Sequence, residues 1–404
     1  MLQRAELRPL QGEDEKDEWL SHVHYAFAPH RSGEEVRELQ ERRPEPEMLE
    51  KKGYFVDGAM VSICGLIDFT GRLRGTWVPI GGIGPVATPP EHRRRGYAKG
   101  MLRDLLVQMR DRGIYTSALW PFYSRFYECL GWGVSAESSG FKFSTEDLRR
   151  LVRGFGPQGT FSRASEEDIE VLDGIYRCWA QDYDLTIKRE QQWWKWNVLT
   201  GWEKRSPYVY LYRNSHGDAS AYVIYLIRGA EDNGRTMHVM DYAYADLDSY
   251  SALLKFLLDH DSQVGTFRID TPANDPLFDW QATGEVKRHR GIMFRVVDVC
   301  SALEAVPFPR DLRDSAVLEV SDSLCGWNEG KFSVAVSGGR AEVCPTDDAS
   351  DVQLDIRELS QLYAGYRSPE QLQKNDGLRV HSVDGLDFLG RLFPQRETYM
   401  AEDF

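Results

Sequence analysis

Met101, Leu102, Leu105, Leu106 and Met109 recur at i, i+3 and i+4 with charged residues between them. That single apolar stripe predicts a helix running from just after Arg95 to about Gly113. Two earlier helices are predicted over 13–28, on the face of Trp19, Val23 and Phe27, and over about 33–43, on Val36 and Leu39. The runs GYFVDG, AMVSICGLIDFTG and GTWVPIGGIGPVAT read as strands, with Asp57-Gly58 as a hairpin breaker. After the central helix, IYTSALW predicts a strand and Pro121 to Leu130 a short helix stopped by Gly131, and FKFS is expected to close the unit. The whole is an α+β unit of about 150 residues, an ordinary domain size.

The pattern then starts afresh. A charged join, TEDLRRLVRGFGPQG, leads to the helix ASEEDIEVLDGIYRCWAQ and a segment rich in tryptophan (Trp193, Trp194, Trp196), for which a core position is expected. Strands follow in YVYLYR, SAYVIYLIRG and TMHVMDYAYA, then a helix from Ser249 to His260 and a strand in TFRID. The order echoes the first unit, although no sequence period supports a duplication by itself. From about Ile292 the texture changes: MFRVVDVCSALEAV, AVLEVSD, KFSVAVSGG, RAEVCPT and VQLDI supply strands with one helix, and DIRELSQLYAGY and HSVDGLDFLGRLFP two more helices. The expected division is 1–150, 151–291 and 292–404.

Composition narrows the function. With 404 residues, 42% hydrophobic and 28% charged, the chain reads as soluble, with more than one core. No apolar run approaches about 18 residues, so no membrane span is expected. The start, MLQRAELRPLQGEDEKDEW, lacks an apolar signal core, which points to the cytoplasm. A net charge of −14 argues against a nucleic-acid partner and favours a cationic substrate, with solubility alone an equal explanation. Six cysteines are scattered without a CxxC pair, which argues against zinc and against a disulfide framework and leaves buried free thiols as the expectation. Nine histidines are equally dispersed, and His22 and His24 are read as surface or core residues, so no metal is expected.

Against that acidic background, Arg93, Arg94 and Arg95 stand in a row where a helix begins. Cations are disfavoured at that positive end of the helix dipole, and an anion would resolve the conflict. Free N–H groups at a helix start bind anions, and basic residues add charge-assisted bonds. Gly96 admits a ligand to the backbone and Ala98 keeps the next position small, so Arg93-x-x-Gly96-x-Ala98 suits a pyrophosphate. A solvated basic turn is the alternative. The preceding strand favours the ligand: Pro85 cannot donate to a ladder and Gly84 loosens pairing, so a bulge is expected that frees backbone groups of Val86, Ala87 and Thr88. An amide-bearing arm ending in a pyrophosphate describes coenzyme A.

Strand, turn, Arg-x-x-Gly-x-Ala and helix together resemble the acetyl-CoA motif of the GNAT N-acetyltransferases, and VATPPEHRRRGYA with the length and the last domain's texture resembles the Eis-type (enhanced intracellular survival) enzymes. The resemblance implies tandem GNAT-like domains, the second without the cofactor motif, followed by a sterol-carrier-like α/β domain. It also implies homohexamers, acetyl-CoA as donor, and amine acceptors such as aminoglycosides, polyamines or lysine side chains. Its motif carries the cofactor contacts to Val86, Ala87, Thr88, Arg93, Arg94, Arg95, Gly96, Tyr97 and Ala98. YECLGWG is similar to the family's Tyr-x-x-Phe-Gly-Tyr-Gly segment, with Leu130 and Trp132 as departures, and so implies Tyr127 as general acid. Tyr123, four residues earlier, is the rival, on the expectation that both share a helix face. The ending Glu402-Asp403-Phe404 resembles the family's terminal aromatic residue, whose α-carboxylate serves as base; the alternative is a frayed tail. Cys129 is not expected to be a nucleophile, since residues two apart on a helix do not share a face. A carrier of apolar ligands or a CoA-sensing assembly is the competing function.

Overall fold

The computed structural model describes residues 5–35, 48–199, 207–229, 234–280 and 284–404. Most of the second predicted helix, with Val36 and Leu39, falls outside them. The strands, in chain order, are β1 (Ala5–Pro9), β2 (Leu49–Val56), β3 (Ala59–Leu73), β4 (Thr76–Ala87), β5 (Thr116–Leu119), β6 (Gly133–Val134) and β7 (Glu137–Ser144). They continue as β8 (Gly159–Arg163), β9 (Tyr208–Asn214), β10 (Ala219–Arg228), β11 (Arg235–Tyr244), β12 (Val264–Pro272), β13 (Glu285–Arg290) and β14 (Met293–Val296). The last five are β15 (Asp314–Ser321), β16 (Gly330–Ser337), β17 (Arg340–Pro345), β18 (Val352–Asp355) and β19 (Leu378–Val380).

Two compact units result, Met1–Ala136 with Gly291–Phe404, and Glu137–Arg290. The first holds a seven-stranded sheet, β1-β2-β3-β4-β5-β14-β6, and a five-stranded sheet, β17-β16-β15-β18-β19. Helix α1 (Gly12–Phe27) buries Trp19, while Phe27 at its end is 52% exposed. Helix α2 (Tyr97–Asp111) buries the whole predicted stripe, each of its five side chains at 0% exposure. Fully burying one such side chain contributes about 1.5–3 kcal/mol, so this face pins the helix to the sheet. Glycine makes the contact close: a Cβ on Gly81 would lie 2.1 Å from Cε of Met109. Helix α3 (Ser124–Glu128) is short, and Gly131 in the turn after it has φ +88°.

The second unit carries the sheet β13-β7-β12-β11-β10-β9-β8. Trp193 and Trp194 are fully buried there and Trp196 partly, in line with the core reading.

Three expectations change. FKFS does not close the first sheet; it lies in β7, between β13 and β12 of the second. Met293–Val296 instead enters the first sheet between β5 and β6, antiparallel to both. The charged join begins with a helix, Thr145–Leu151, started by a capping box in which Ser144 and Asp147 each satisfy the other's backbone N–H. The cysteines are free, but only Cys64 and Cys325 are buried, and Cys129, Cys178 and Cys344 are exposed.

Candidate active site

The site opens where two parallel strands part. β4 pairs with β5 at Gly81–Ser117, Gly82–Ala118 and Ile83–Leu119; there β5 ends, while β4 runs on to Ala87. On the other side β3 slips register between Cys64 and Leu66, leaving Gly65 opposite Gly84 and Pro85. This is the expected bulge, and it is tight, since a Cβ on Gly65 would sit 2.4 Å from the Gly84 carbonyl oxygen. Ser62 Oγ donates to the Ala87 carbonyl at 2.9 Å and so holds it toward β3. Backbone groups alternate in direction along a strand, so Val86 faces the open edge.

The turn after β4 begins with one 3-10 turn, Pro90–His92. Arg94 (φ +60°) and Gly96 (φ +83°) then take left-handed backbone, with Gly96 as the N-cap of α2. Among the described residues, no atom beyond its chain neighbours and its own helix comes within 4 Å of where a Gly96 Cβ would be, so that approach is open. The first backbone bond across the helix start runs from Gly100 N to Gly96 O, which leaves the amides of Tyr97, Ala98 and Lys99 without an intrahelical acceptor. Arg93, Arg94 and Arg95 are all exposed. Arg93 is partly committed to the protein: its Nε donates to the Thr88 carbonyl at 2.9 Å, and its guanidinium lies 5.6 Å from the Tyr25 ring centre. The turn is thus braced by Arg93 and presents Arg94, Arg95 and the first α2 amides outward.

Tyr127 sits on α3 at 2% exposure, its ring edge-on to Phe122 (5.6 Å), Phe126 (5.0 Å) and Trp132 (6.2 Å). Burial is the main cause that pushes its phenol above the ordinary tyrosine range. Tyr123 does not share its face. It is the N-cap residue of α3, extended at φ −149° and 59% exposed, because the helix starts later than the sequence suggests. Cys129 is the exposed C-cap of the same helix.

The tail is docked. Trp120 Nε1 donates to the Glu402 carbonyl at 2.7 Å. The Phe404 ring stands edge-on to Phe69 at 4.9 Å. A Cβ on Gly84 would lie 2.9 Å from the Phe404 backbone oxygen, and one on Gly82 would lie 3.1 Å from Cε2 of its ring. The chain terminus therefore lies at the same fork of β4 and β5. Trp120, Phe69 and Gly82 escaped the sequence reading. The Gly81-Gly82 pair inside a strand was the available signal, since such glycines mark close approach; nothing local marks Trp120.

With this geometry in place, comparison with known proteins gives a consistent result. The Acetyltransferase (GNAT) domain family matches residues 6–135, a second GNAT acetyltransferase family matches 185–296, and the Sterol carrier protein domain matches 299–401. The N-acetyltransferase Eis of Mycobacterium tuberculosis is 27% identical over 322 residues, 75% of each chain. The chain is an Eis-like N-acetyltransferase of the GNAT family. Among solved structures, a probable N-acyltransferase of Enterococcus faecalis superposes with a TM-score of 0.87 at 25% identity, over 99% of this chain and 100% of that one. The fold of Eis1 from Mycobacterium abscessus superposes at 0.76, with 22% identity over 99% and 100% of the two chains. The Eis-like architecture is thus tandem GNAT domains followed by a sterol-carrier domain, and among the described residues no helix is long and apolar enough to cross a membrane.

Proposed function

We propose that this Eis-like enzyme transfers the acetyl group of acetyl-CoA directly to a primary amine of a cationic acceptor, such as an aminoglycoside, a polyamine or a lysine side chain. One observation carries the reading: the chain terminus lies at the fork where the open β4 edge begins, and β4 leads on through the arginine turn to the free α2 amides. Acetyl-CoA suits these residues. Val86 offers an open strand edge to an amide-bearing arm, beside Ala87 and Thr88, whose carbonyls accept from Ser62 and Arg93. Arg93, Arg94, Arg95, Gly96, Tyr97 and Ala98 form a turn of amides and guanidiniums fit for a diphosphate. Bound there, it supplies a thioester with a thiol leaving group.

The rest is the work of the chain's own residues. The Phe404 carboxylate takes a proton from the acceptor ammonium, directly or through water. A free α-carboxyl titrates near pH 3.5, so its use as a base depends on where the fold holds it. The Val86 N–H, on the open edge, stabilises negative charge developing on an acyl oxygen. Tyr127 delivers the proton that the leaving sulfur requires. The acidic balance of the chain supports a cationic acceptor, and the family resemblance supports homohexameric assembly in the cytoplasm.

Two experiments test this. Replacing Arg94 and Arg95 together by Ala is expected to raise the Kd for coenzyme A about tenfold or more, at about 1.5–3 kcal/mol for each charged hydrogen bond lost. Calorimetric titration with coenzyme A and with pantetheine checks it: pantetheine affinity should not change, and an unchanged Kd for coenzyme A removes the diphosphate from the turn. Adding one Gly after Phe404 moves the carboxylate, and an error of about 1 Å at a reacting group costs on the order of 100-fold in kcat. Full turnover of that extended chain on an amine panel would exclude the terminal base.

A further inference from the structure

Chain termini usually fray, and residues 401–404 belong to no helix or strand, yet Glu402 is 1% exposed and Phe404 is seated at the fork. Something outside the tail must place it. β5 ends at Leu119, the partner of Ile83. Trp120 and Gly84 are therefore the first residues past the last pair, one on each arm of the fork. Trp120 bonds the Glu402 carbonyl, and Gly84 leaves the room that the Phe404 backbone fills.

Resting on the reading of Phe404 as base, we propose that Trp120 is a positioning residue. Its indole N–H, with the side-chain-free stretch of β4 at Gly82 and Gly84, fixes the terminal carboxylate in the site. The choice of group matters. An indole N–H only donates, so it cannot compete for the acceptor's proton. It is also neutral. A lysine or arginine in its place would lower the carboxylate's affinity for a proton, which is the property a base needs. Trp120 further begins the segment that leads to α3, so one short stretch of backbone sets the tail at its start and Tyr127 at its end. The pairing of acid and base is thereby tied to a single element, although the tail comes from the far end of the chain.

The test compares Trp120→Phe with the wild-type chain and with the one-Gly extension. The readouts are kcat, the KM for acetyl-CoA and the rate at which a carboxypeptidase releases Phe404. Trp120→Phe should lower kcat about 10- to 100-fold. It should leave the KM for acetyl-CoA within about twofold and release Phe404 about tenfold faster, since only the neutral donor is lost. Gly84→Ala reaches the same tail without touching Trp120, because its Cβ would stand 2.9 Å from the Phe404 oxygen. It should show the same faster release and lower kcat, and it decides the matter if Trp120→Phe proves poorly folded. Wild-type kcat in Trp120→Phe, or a kcat loss with wild-type release of Phe404, overturns the positioning role. If the one-Gly extension is inactive while Trp120→Phe is fully active, the latch fails and the terminal base stands. If the extension is fully active, the base fails and the latch with it.

Discussion

Tyr127→Phe is expected to lower kcat by about 100- to 10,000-fold, the usual contribution of a positioned acid, while acetyl-CoA affinity stays within about twofold. The change deletes one oxygen and keeps the ring, whose contacts with Phe122, Phe126 and Trp132 are apolar and survive it. The folded chain should therefore melt normally, which separates chemistry from stability. The direction of the pKa shift adds a pH test. Burial holds the Tyr127 phenol above its ordinary range near pH 10. The phenol thus remains protonated across the neutral range, and wild-type kcat should show no alkaline fall from this residue between pH 7 and about 10. The same shift has a consequence for stability. A group that binds its proton more tightly in the folded state stabilises it below the unfolded pKa, and that stability disappears as pH rises through the raised value. Alkaline unfolding of wild type should accordingly begin above about pH 10 and be less steep in Tyr127→Phe. Steady-state kinetics with Tyr123→Phe beside it complete the comparison: the exposed Tyr123 should be near neutral, and wild-type turnover in Tyr127→Phe would assign the proton to solvent.

What could be read from the sequence was what the chain does locally. The apolar stripe of α2, the bulge at Gly84-Pro85 and the left-handed stop at Gly131 each depend on residues within a few positions, and each stands in the fold as expected. The Arg-x-x-Gly-x-Ala turn belongs with them, because its amides are left open by helix geometry itself. The strand exchanges could not be read. β14 joins β5 and β6 from far downstream, and β7 leaves the first sheet for the second; both are short segments whose local pattern does not name the sheet they join. The same holds for the docking of the tail. Glu402 and Phe404 meet Trp120, Gly82 and Gly84 through contacts spanning most of the chain, and such contacts leave no mark in local pattern. The helix start shows a nearer limit: it falls at Ser124, three residues after the expected Pro121, and that was enough to separate Tyr123 from Tyr127.

The largest loss of stability is expected from Arg295→Ala, about 3–5 kcal/mol. Arg295 lies on β14 at 0% exposure. Its Nη1 donates to the Leu130 carbonyl at 2.6 Å, its Nη2 to Asp322 Oδ2 at 2.5 Å, and its guanidinium stands 5.3 Å from the Trp132 ring centre. Asp322 is itself 3% exposed and also receives the Asn328 amide at 3.0 Å and the backbone N–H groups of Leu324 and Cys325 at 3.1 Å. Removing the cation leaves that carboxylate buried without its countercharge, and the magnitude comes from this exposed deficit rather than from the attraction lost. It is a large part of the roughly 5–15 kcal/mol that holds a typical domain together. The same guanidinium explains Gly131 more fully than its φ does, since a Cβ there would fall 1.5 Å from Nη1. Because Leu130 follows Tyr127 by three residues, loosening this bond should also lower kcat, by less than Tyr127→Phe does. Urea unfolding of the whole chain measures the first effect. Adding Asp322→Ala to Arg295→Ala should recover part of the loss, because it removes the stranded charge. An unfolding midpoint equal to wild type in the single variant would show that water reaches Asp322 and that Arg295 is not the tie between β14 and the segment that carries Tyr127.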